Sequence, residues 1–352
     1  MADQRIFLHI GTHKTATTTI QAGCCANREA LLAAGWLYPK TGMYLYGQHN
    51  IAWEMCSGHA QPWNHVNHWV RFRPNWGGIQ ELLNEIKSSS ARNIILSSED
   101  FDGLQTDRID LLREHLKDFD VEVMVYLREQ ASFLQSAWAQ FVKSGYVVES
   151  FTEFIDRMLA SDDDGLRYFG AYNLFLHPWM AAFGTEHIHP KPFSRDAFKG
   201  HIFYDFLTAC EVPHVTEFGI PENQNISPGY KTLEIMRLIG QDVESMEKRS
   251  LVTSYMQKFG HLKGWDNGKL NLISPALHER IQARFGEANH FLQMVFHHGE
   301  PFFNTEFKEA PLSSFDKARM TGAEWEEIVR SITTHLINNH LESVNLYEVW
   351  EK

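Results

Sequence analysis

The sequence predicts an α/β fold, a parallel sheet flanked by helices, continued by a mainly helical C-terminal part. Three observations carry this expectation. Short apolar runs suited to buried strands, at residues 5–10, 93–97 and 121–127, alternate with stretches suited to helices. Each run is followed by polar residues and then a helix, as parallel strands joined by helical crossovers require. From residue 227 onward the pattern is almost wholly helical.

The elements follow in order. Residues 5–10 form the first strand, and a polar loop leads to a helix at about 17–34 that stops at Gly35. Residues 36–76 are rich in Trp, Tyr, His, Gly and Pro without clean periodicity; loops and short helices lining a cleft are expected there. A helix at 78–88 precedes the strand 93–97, and a helix at 107–117 precedes the strand 121–127. Helices are expected near 132–143, 150–159 and 168–183. The short run 187–192, bounded by Gly184 and Ser194, reads as a further strand and 202–210 as a helix. The longest later helical segments are 232–240, 275–296 and 323–338. With no repeats or low-complexity tracts, a single domain over 1–352 is expected: an α/β cofactor-binding core at 1–215 and a helical extension at 216–352.

Composition narrows the function classes. The 352 residues are 43% hydrophobic and 22% charged, as in a soluble globular protein. A formal net charge of -12 disfavours nucleic acid and strongly anionic polymers as partners, so any anion site must be a local basic spot. Cys24 and Cys25, adjacent within the first helix, are poorly placed to bridge each other, and with Cys56 and Cys210 they suggest no disulfide framework. A reducing cytoplasm fits. No stretch approaches 18 apolar residues, and Met1-Ala2-Asp3-Gln4-Arg5 enters the first strand directly, so neither a membrane span nor a signal peptide is expected. His59, His65 and His68 lack a further ligand at standard spacing, and no metal site is expected.

The loop after the first strand carries the chemistry. It reads Gly11-Thr12-His13-Lys14-Thr15-Ala16-Thr17-Thr18-Thr19. Amides at a helix start lack intrahelical partners and sit at the positive end of the helix dipole. Lys14 adds a full charge, and Thr15, Thr17, Thr18 and Thr19 add hydroxyls; a phosphate or sulfate group is the natural occupant. A threonine-capped helix start is the plainer alternative. Gly11 stands three residues before Lys14, so the triphosphate pattern G-x-x-x-x-G-K-[ST] is not met.

The run His13-Lys14-Thr15-Ala16-Thr17-Thr18 resembles the 5'-phosphosulfate loop of the sulfotransferases, P-K-[ST]-G-T-[ST]. His13 stands where that loop has proline and Ala16 where it has glycine; if the loop needs φ > 0 there, alanine weakens it. Arg128 ends the strand 121–127, and Ser136 follows eight residues later. In the sulfotransferases such a pair holds the 3'-phosphate of 3'-phosphoadenosine 5'-phosphosulfate, and guanidinium suits phosphate. Alternatively, Arg128 pairs with Glu129. Asn27-Arg28, Gly35-Trp36-Leu37-Tyr38-Pro39 and His49-Asn50-Ile51-Ala52 resemble a bacterial sulfotransferase family with the pattern N-R...G-x-x-Y-P...H-x-x-A, and the likeness covers most of 5–230.

The resemblance implies the P-loop-like sulfotransferase fold and a cytosolic enzyme with that donor and no metal. Lys14 would stabilise the leaving phosphate. Glu99, just after the strand 93–97, would be the base, with His49 as second candidate; Glu99 or Asp100 could instead cap the next helix, and His49 could be an ordinary loop histidine. The acceptor would be a hydroxyl, or an amine, of a glycan, glycolipid or small metabolite. Aromatics at 36–76 would stack on it or simply pack. The helical C-terminal third could cover the cofactor or form a homo-oligomer surface. Two rivals stand: a small-molecule kinase with a degenerate P-loop, and a nucleotide-binding protein without turnover.

Overall fold

The computed structural model describes residues 4–56, 72–194, 196–198, 200–221, 227–265, 270–315, 317 and 320–338. The chain opens with β1 (Arg5–His9), α1 (Thr17–Ala26), α2 (Arg28–Ala33), β2 (Trp36–Leu37) and α3 (His49–Met55). Next come α4 (Ile79–Ser88), β3 (Asn93–Ser97), α5 (Thr106–His115), β4 (Asp120–Leu127) and α6 (Gln130–Lys143). Then follow α7 (Phe151–Leu159), α8 (Asp163–Leu166), α9 (Tyr172–Phe183), β5 (Ile188–Pro192) and α10 (Ile202–Ala209). The last helices are α11 (Tyr230–Gln241), α12 (Met246–Leu262), α13 (Pro275–Phe296) and α14 (Gly322–Asn338).

Two compact units emerge. The first comprises Met1–Phe133, Ser161–Asn223 and Ala283–Thr305; the second comprises Leu134–Ala160, Gln224–Gln282 and Glu306–Lys352.

The first unit is built on a five-stranded, all-parallel sheet of order β2-β3-β1-β4-β5, flanked by helices. Strand alternation divides its core between two faces. Ile6, Leu8, Ile94, Leu96, Val123 and Val125 point to one face, against Phe175 and Trp179 of α9 and Leu112 of α5. Phe7, Ile95, Met124 and Tyr126 point to the other, with Ile20 and Cys24 of α1 and Phe203 and Phe206 of α10. Each fully buried side chain of this kind contributes roughly 1.5–3 kcal/mol. Burying β1 on both faces fixes the height at which the next loop leaves the sheet. The register is His9 beside Ser97 on one side and beside Met124 on the other. The loops after β1, β3 and β4 therefore emerge at one end, where ligands of such sheets sit.

Helix 17–34 proves to be two helices. At Asn27 the backbone departs to φ -103, ψ 17, and its side chain donates to Gly23 O at 2.8 Å, so α1 ends and α2 restarts. β2 lies inside the stretch read as loops and short helices; two residues are too few to show periodicity.

The second unit is helical. Leu233 and Met236 of α11, Val252, Met256 and Phe259 of α12, and Ile328 and Ile332 of α14 are buried at helical spacing. Its α7 begins on a capping box: Ser150 Oγ accepts from Glu153 N, and Glu153 reaches back to Ser150 N at 2.7 Å. Among the described residues no helix is long and apolar enough to cross a membrane. His59, His65 and His68 lie outside the described residues.

Candidate functional site

The loop after β1 is an extension of the sheet before it is a loop. Ile10 N donates to Met124 O at 3.0 Å, Tyr126 N to Gly11 O at 2.8 Å and Thr12 N to Tyr126 O at 3.1 Å. Thr12 Oγ1 donates to the same carbonyl at 3.2 Å. Gly11 has φ +100, and a Cβ there would lie 3.2 Å from Glu99 Cα. Glycine thus admits both the conformation and the close approach that lays this loop against the turn after β3. Lys14 (φ 67) and Ala16 (φ 60) then take left-handed backbone, and the chain enters α1. Alanine therefore occupies a positive-φ conformation that glycine takes without strain.

α1 has no side-chain cap; Thr19 N turns back to Ala16 O at 3.0 Å, which leaves the amides of Thr17 and Thr18 as the donors of that turn. Thr15 is buried and spends its hydroxyl hydrogen on Thr12 O, bracing the loop. Thr17 is buried, Thr19 half-buried and Thr18 exposed. Arg128, at the end of β4, donates through one terminal nitrogen to Lys14 O at 3.2 Å and through Nε to Ser132 Oγ at 3.1 Å. The alternative pairing with Glu129 does not form: that carboxylate accepts the amides of Ala131 and Ser132 at the start of α6. Burial holds the Arg128 guanidinium below its ordinary pKa. Ser136 lies further along α6, in the second unit.

A cluster of two histidines and three carboxylates stands beside the loop. β3 ends at Ser97, and Ser98 Oγ accepts Asp100 N, starting a 3-10 turn at Glu99–Gly103. That cap belongs to Ser98, not to Glu99 or Asp100. Gln48 joins the next element to this strand end: its N donates to Ser97 O, its Oε1 accepts Ser97 N, and its Nε2 donates to Pro39 O. His49 is consequently the first residue of α3, held against β3, rather than part of a loop. Its Nδ1 faces Asp100 Oδ2 at 3.0 Å and Ser98 Oγ at 2.9 Å, and its Nε2 faces Glu99 Oε2 at 3.9 Å. Gln21 of α1 donates to Glu99 Oε2 at 2.6 Å, and Trp53 Nε1 donates to Asp100 Oδ2 at 2.8 Å. His13 is held by Asp102 Oδ2 twice, at its backbone N (2.9 Å) and Nδ1 (2.7 Å), and its Nε2 lies 3.6 Å from Asp100 Oδ1.

The electrostatics follow from this packing. Burial would strip His13 of its proton, but Asp102, Asp100 and Glu99 more than reverse that and push its pKa up to about 9. Burial raises Asp102 as well, so the His13–Asp102 contact keeps its proton firmly. His49 also moves up: burial opposes the charge, but Glu99 and Asp100 overcome it. Burial pushes Glu99 up, and the His49 and His13 charges outweigh it, leaving the carboxyl below its ordinary value. Asp100 is lowered likewise against burial, by its hydrogen bond and charge contact with His49. His9, fully buried behind this cluster with Nδ1 at 2.8 Å from Ser97 Oγ, is pulled by desolvation down to about 4.

Glu99 and His49, expected together, do meet. His13, Gln21, Ser98, Asp100 and Asp102 join them, and of these only His13 and Asp100 drew attention in the sequence, for other reasons. Asp102 carries a faint sequence signal, as the third acid of the run Ser98-Glu99-Asp100-Phe101-Asp102. Gln21 had no signal beyond lying one turn after Thr17 on the buried face of α1. Tyr44, Trp53 and Trp76 gather beside His49: Tyr44 stacks on Trp76 at 5.3 Å and lies 5.3 Å from Trp53, and Trp53 stacks on His49 at 6.0 Å.

No protein-family model matches the chain. It is 27% identical over 175 residues to an uncharacterized protein of Archaeoglobus fulgidus, a match covering 49% of this chain and 45% of that protein, less than half of its length. Among solved structures it is similar to the crystal structure of a sulfotransferase from Alicyclobacillus acidocaldarius, at 14% identity and a TM-score of 0.47, over 84% of this chain and 96% of that one.

Proposed function

We propose that the protein is a sulfotransferase that moves a sulfuryl group from 3'-phosphoadenosine 5'-phosphosulfate to a hydroxyl, or an amine, of a glycan, glycolipid or small metabolite. The observation that carries this reading is the juxtaposition of an uncapped helix start carrying Lys14 with Glu99 at the end of the adjacent strand. The residues fit an anionic donor. Lys14 and the α1 amides supply positive charge, and among the described residues no carboxylate forms an ion pair with Arg128.

When bound, the donor supplies an activated sulfuryl group and a bisphosphate leaving group. Lys14 and the amides of Thr17 and Thr18 hold negative oxygen at the loop. Arg128 fixes the loop through the Lys14 carbonyl. Glu99 Oε2 accepts the proton of the acceptor hydroxyl, with Gln21 setting the orientation of that carboxylate. His49 faces the same oxygen and balances its charge. Tyr44 and Trp76 are half-buried beside His49, and they offer a flat apolar wall to a sugar or a planar acceptor.

The test is incubation with sulfur-labelled donor and a panel of carbohydrate, phenolic and amine acceptors. Labelled product made by the wild type and lost in Glu99→Gln supports the reading. Phosphoryl transfer from ATP-magnesium instead replaces it with the kinase.

A further inference from the structure

We propose that Asp100 is the positioning residue of this site, a single carboxylate that holds the His49 ring through Nδ1 and the His13 ring through Nε2 and so joins the strand-end base to the anion-binding loop. Its relevance to catalysis rests on the sulfotransferase reading; the linkage itself does not. Three observations carry it. Asp100 uses separate oxygens for the two rings: Oδ2 meets His49 Nδ1 at 3.0 Å, and Oδ1 lies 3.6 Å from His13 Nε2. The carboxylate cannot drift between them, because Trp53 Nε1 holds Oδ2 at 2.8 Å and Ser98 caps the turn from which Asp100 projects. Beyond Gln21, the series Glu99, His49, Asp100, His13, Asp102 alternates acid and imidazole, joined by hydrogen bonds at 3.0 and 2.7 Å and by charge contacts at 3.9 and 3.6 Å.

The consequence is directional. With Nδ1–H donated to Asp100, His49 presents Nε2 to Glu99 Oε2. A proton gained by Glu99 is felt at His49, then at Asp100, and then at His13, the residue next to Lys14. The loop that holds the anion and the carboxylate that takes the proton therefore share one titrating network. The titratable groups facing these rings are Glu99, Asp100 and Asp102 from the turn after β3, His13 from the loop after β1, and Tyr44 from the turn before α3. Among the described residues, the hydrogen bonds of Asp102 go to the His13 amide and ring.

The experiment is an NMR titration of histidine ring signals in the full, ligand-free chain, comparing wild type with Asp100→Asn, Asp102→Asn and His13→Gln. Asp100→Asn should lower the midpoints of both His49 and His13 by about one unit or more. Asp102→Asn should lower His13 without lowering His49. His13→Gln should raise His49, because a cation beside it is gone; this variant keeps the test decisive if Asp100→Asn does not fold. An Asp100→Asn protein in which either midpoint stays in place overturns the proposal. So does a His13→Gln protein whose His49 midpoint does not move. Because no donor is present, these outcomes are independent of the function test: failure to bind 3',5'-adenosine bisphosphate would remove the sulfotransferase reading and leave the linkage standing.

Discussion

Ala16 is the position where the loop's geometry has a measurable energetic consequence. Its backbone sits at φ 60, ψ 29, the left-handed region. For an L-residue other than Gly, Asn or Asp that conformation costs roughly 1–2 kcal/mol. Glycine removes the cost but gives back about 0.4–1 kcal/mol through the greater freedom of the unfolded chain. Ala16 also packs its methyl at the margin of the core of Ile20, Cys24 and Phe203, so part of the gain is lost with that contact. The balance for Ala16→Gly is a stabilisation of about 0.5–1 kcal/mol. Ala16→Val moves the other way by about 1–3 kcal/mol, because a branched Cβ tolerates positive φ worst. Urea unfolding followed by tryptophan fluorescence reads both. Because alanine already holds the required angle, the strain should appear in stability, and bisphosphate affinity should change less than about threefold in Ala16→Gly, about 0.6 kcal/mol. A glycine variant less stable than wild type, or a valine variant equal to it, would show that Ala16 carries no left-handed strain.

Other outcomes follow from the same geometry. Lys14→Ala should weaken 3',5'-adenosine bisphosphate by about tenfold to a hundredfold in calorimetry, the loss of one charge-assisted contact. Glu99→Gln should lower kcat by about a hundredfold to ten-thousandfold with little change in KM. His9, at about 4 in the fold against an ordinary 6.5, must stay neutral, so the unfolded chain binds more protons below pH 6.5. Its contribution, on the order of 3 kcal/mol, is lost as pH falls from 6.5 to 4. His9→Gln should flatten that part of a urea-midpoint against pH plot. His13 has the opposite sign: raised to about 9, it contributes fully below pH 6.5, and that stability is lost as pH rises through 9. Gly23→Ala should cost about 1–3 kcal/mol, since its Cβ would meet the Phe203 ring at 2.5 Å.

The strands were legible because buried parallel strands write themselves as short apolar runs: 93–97 matches β3 residue for residue, and 275–296 matches α13. β2 was not, because two residues carry no period. In the candidate site, Lys14 and Glu99 stood out as charged residues just after strand ends, and His49 as a histidine in the aromatic stretch 36–76. Their partners were not. Gln21 reaches Glu99 across 78 positions, and Asp102 reaches His13 across 89. Such pairings depend on β1 and β3 lying side by side in a particular register, which no local pattern specifies. The helix placement of His49 was hidden for the same reason: Gln48, which precedes it, pairs with Ser97 on the neighbouring strand.

The proposed function requires that the loop from Gly11 to Thr19, together with Arg128 and Ser136, hold a 3'-phosphorylated adenine nucleotide. A thermal-shift titration with 3',5'-adenosine bisphosphate, beside ADP and ATP-magnesium, tests it directly. Selective stabilisation by the bisphosphate is expected, roughly 2.7 kcal/mol at a hundred times its dissociation constant, and it should be diminished in Lys14→Ala. Stabilisation by ATP-magnesium alone, or by none of the three, would contradict it.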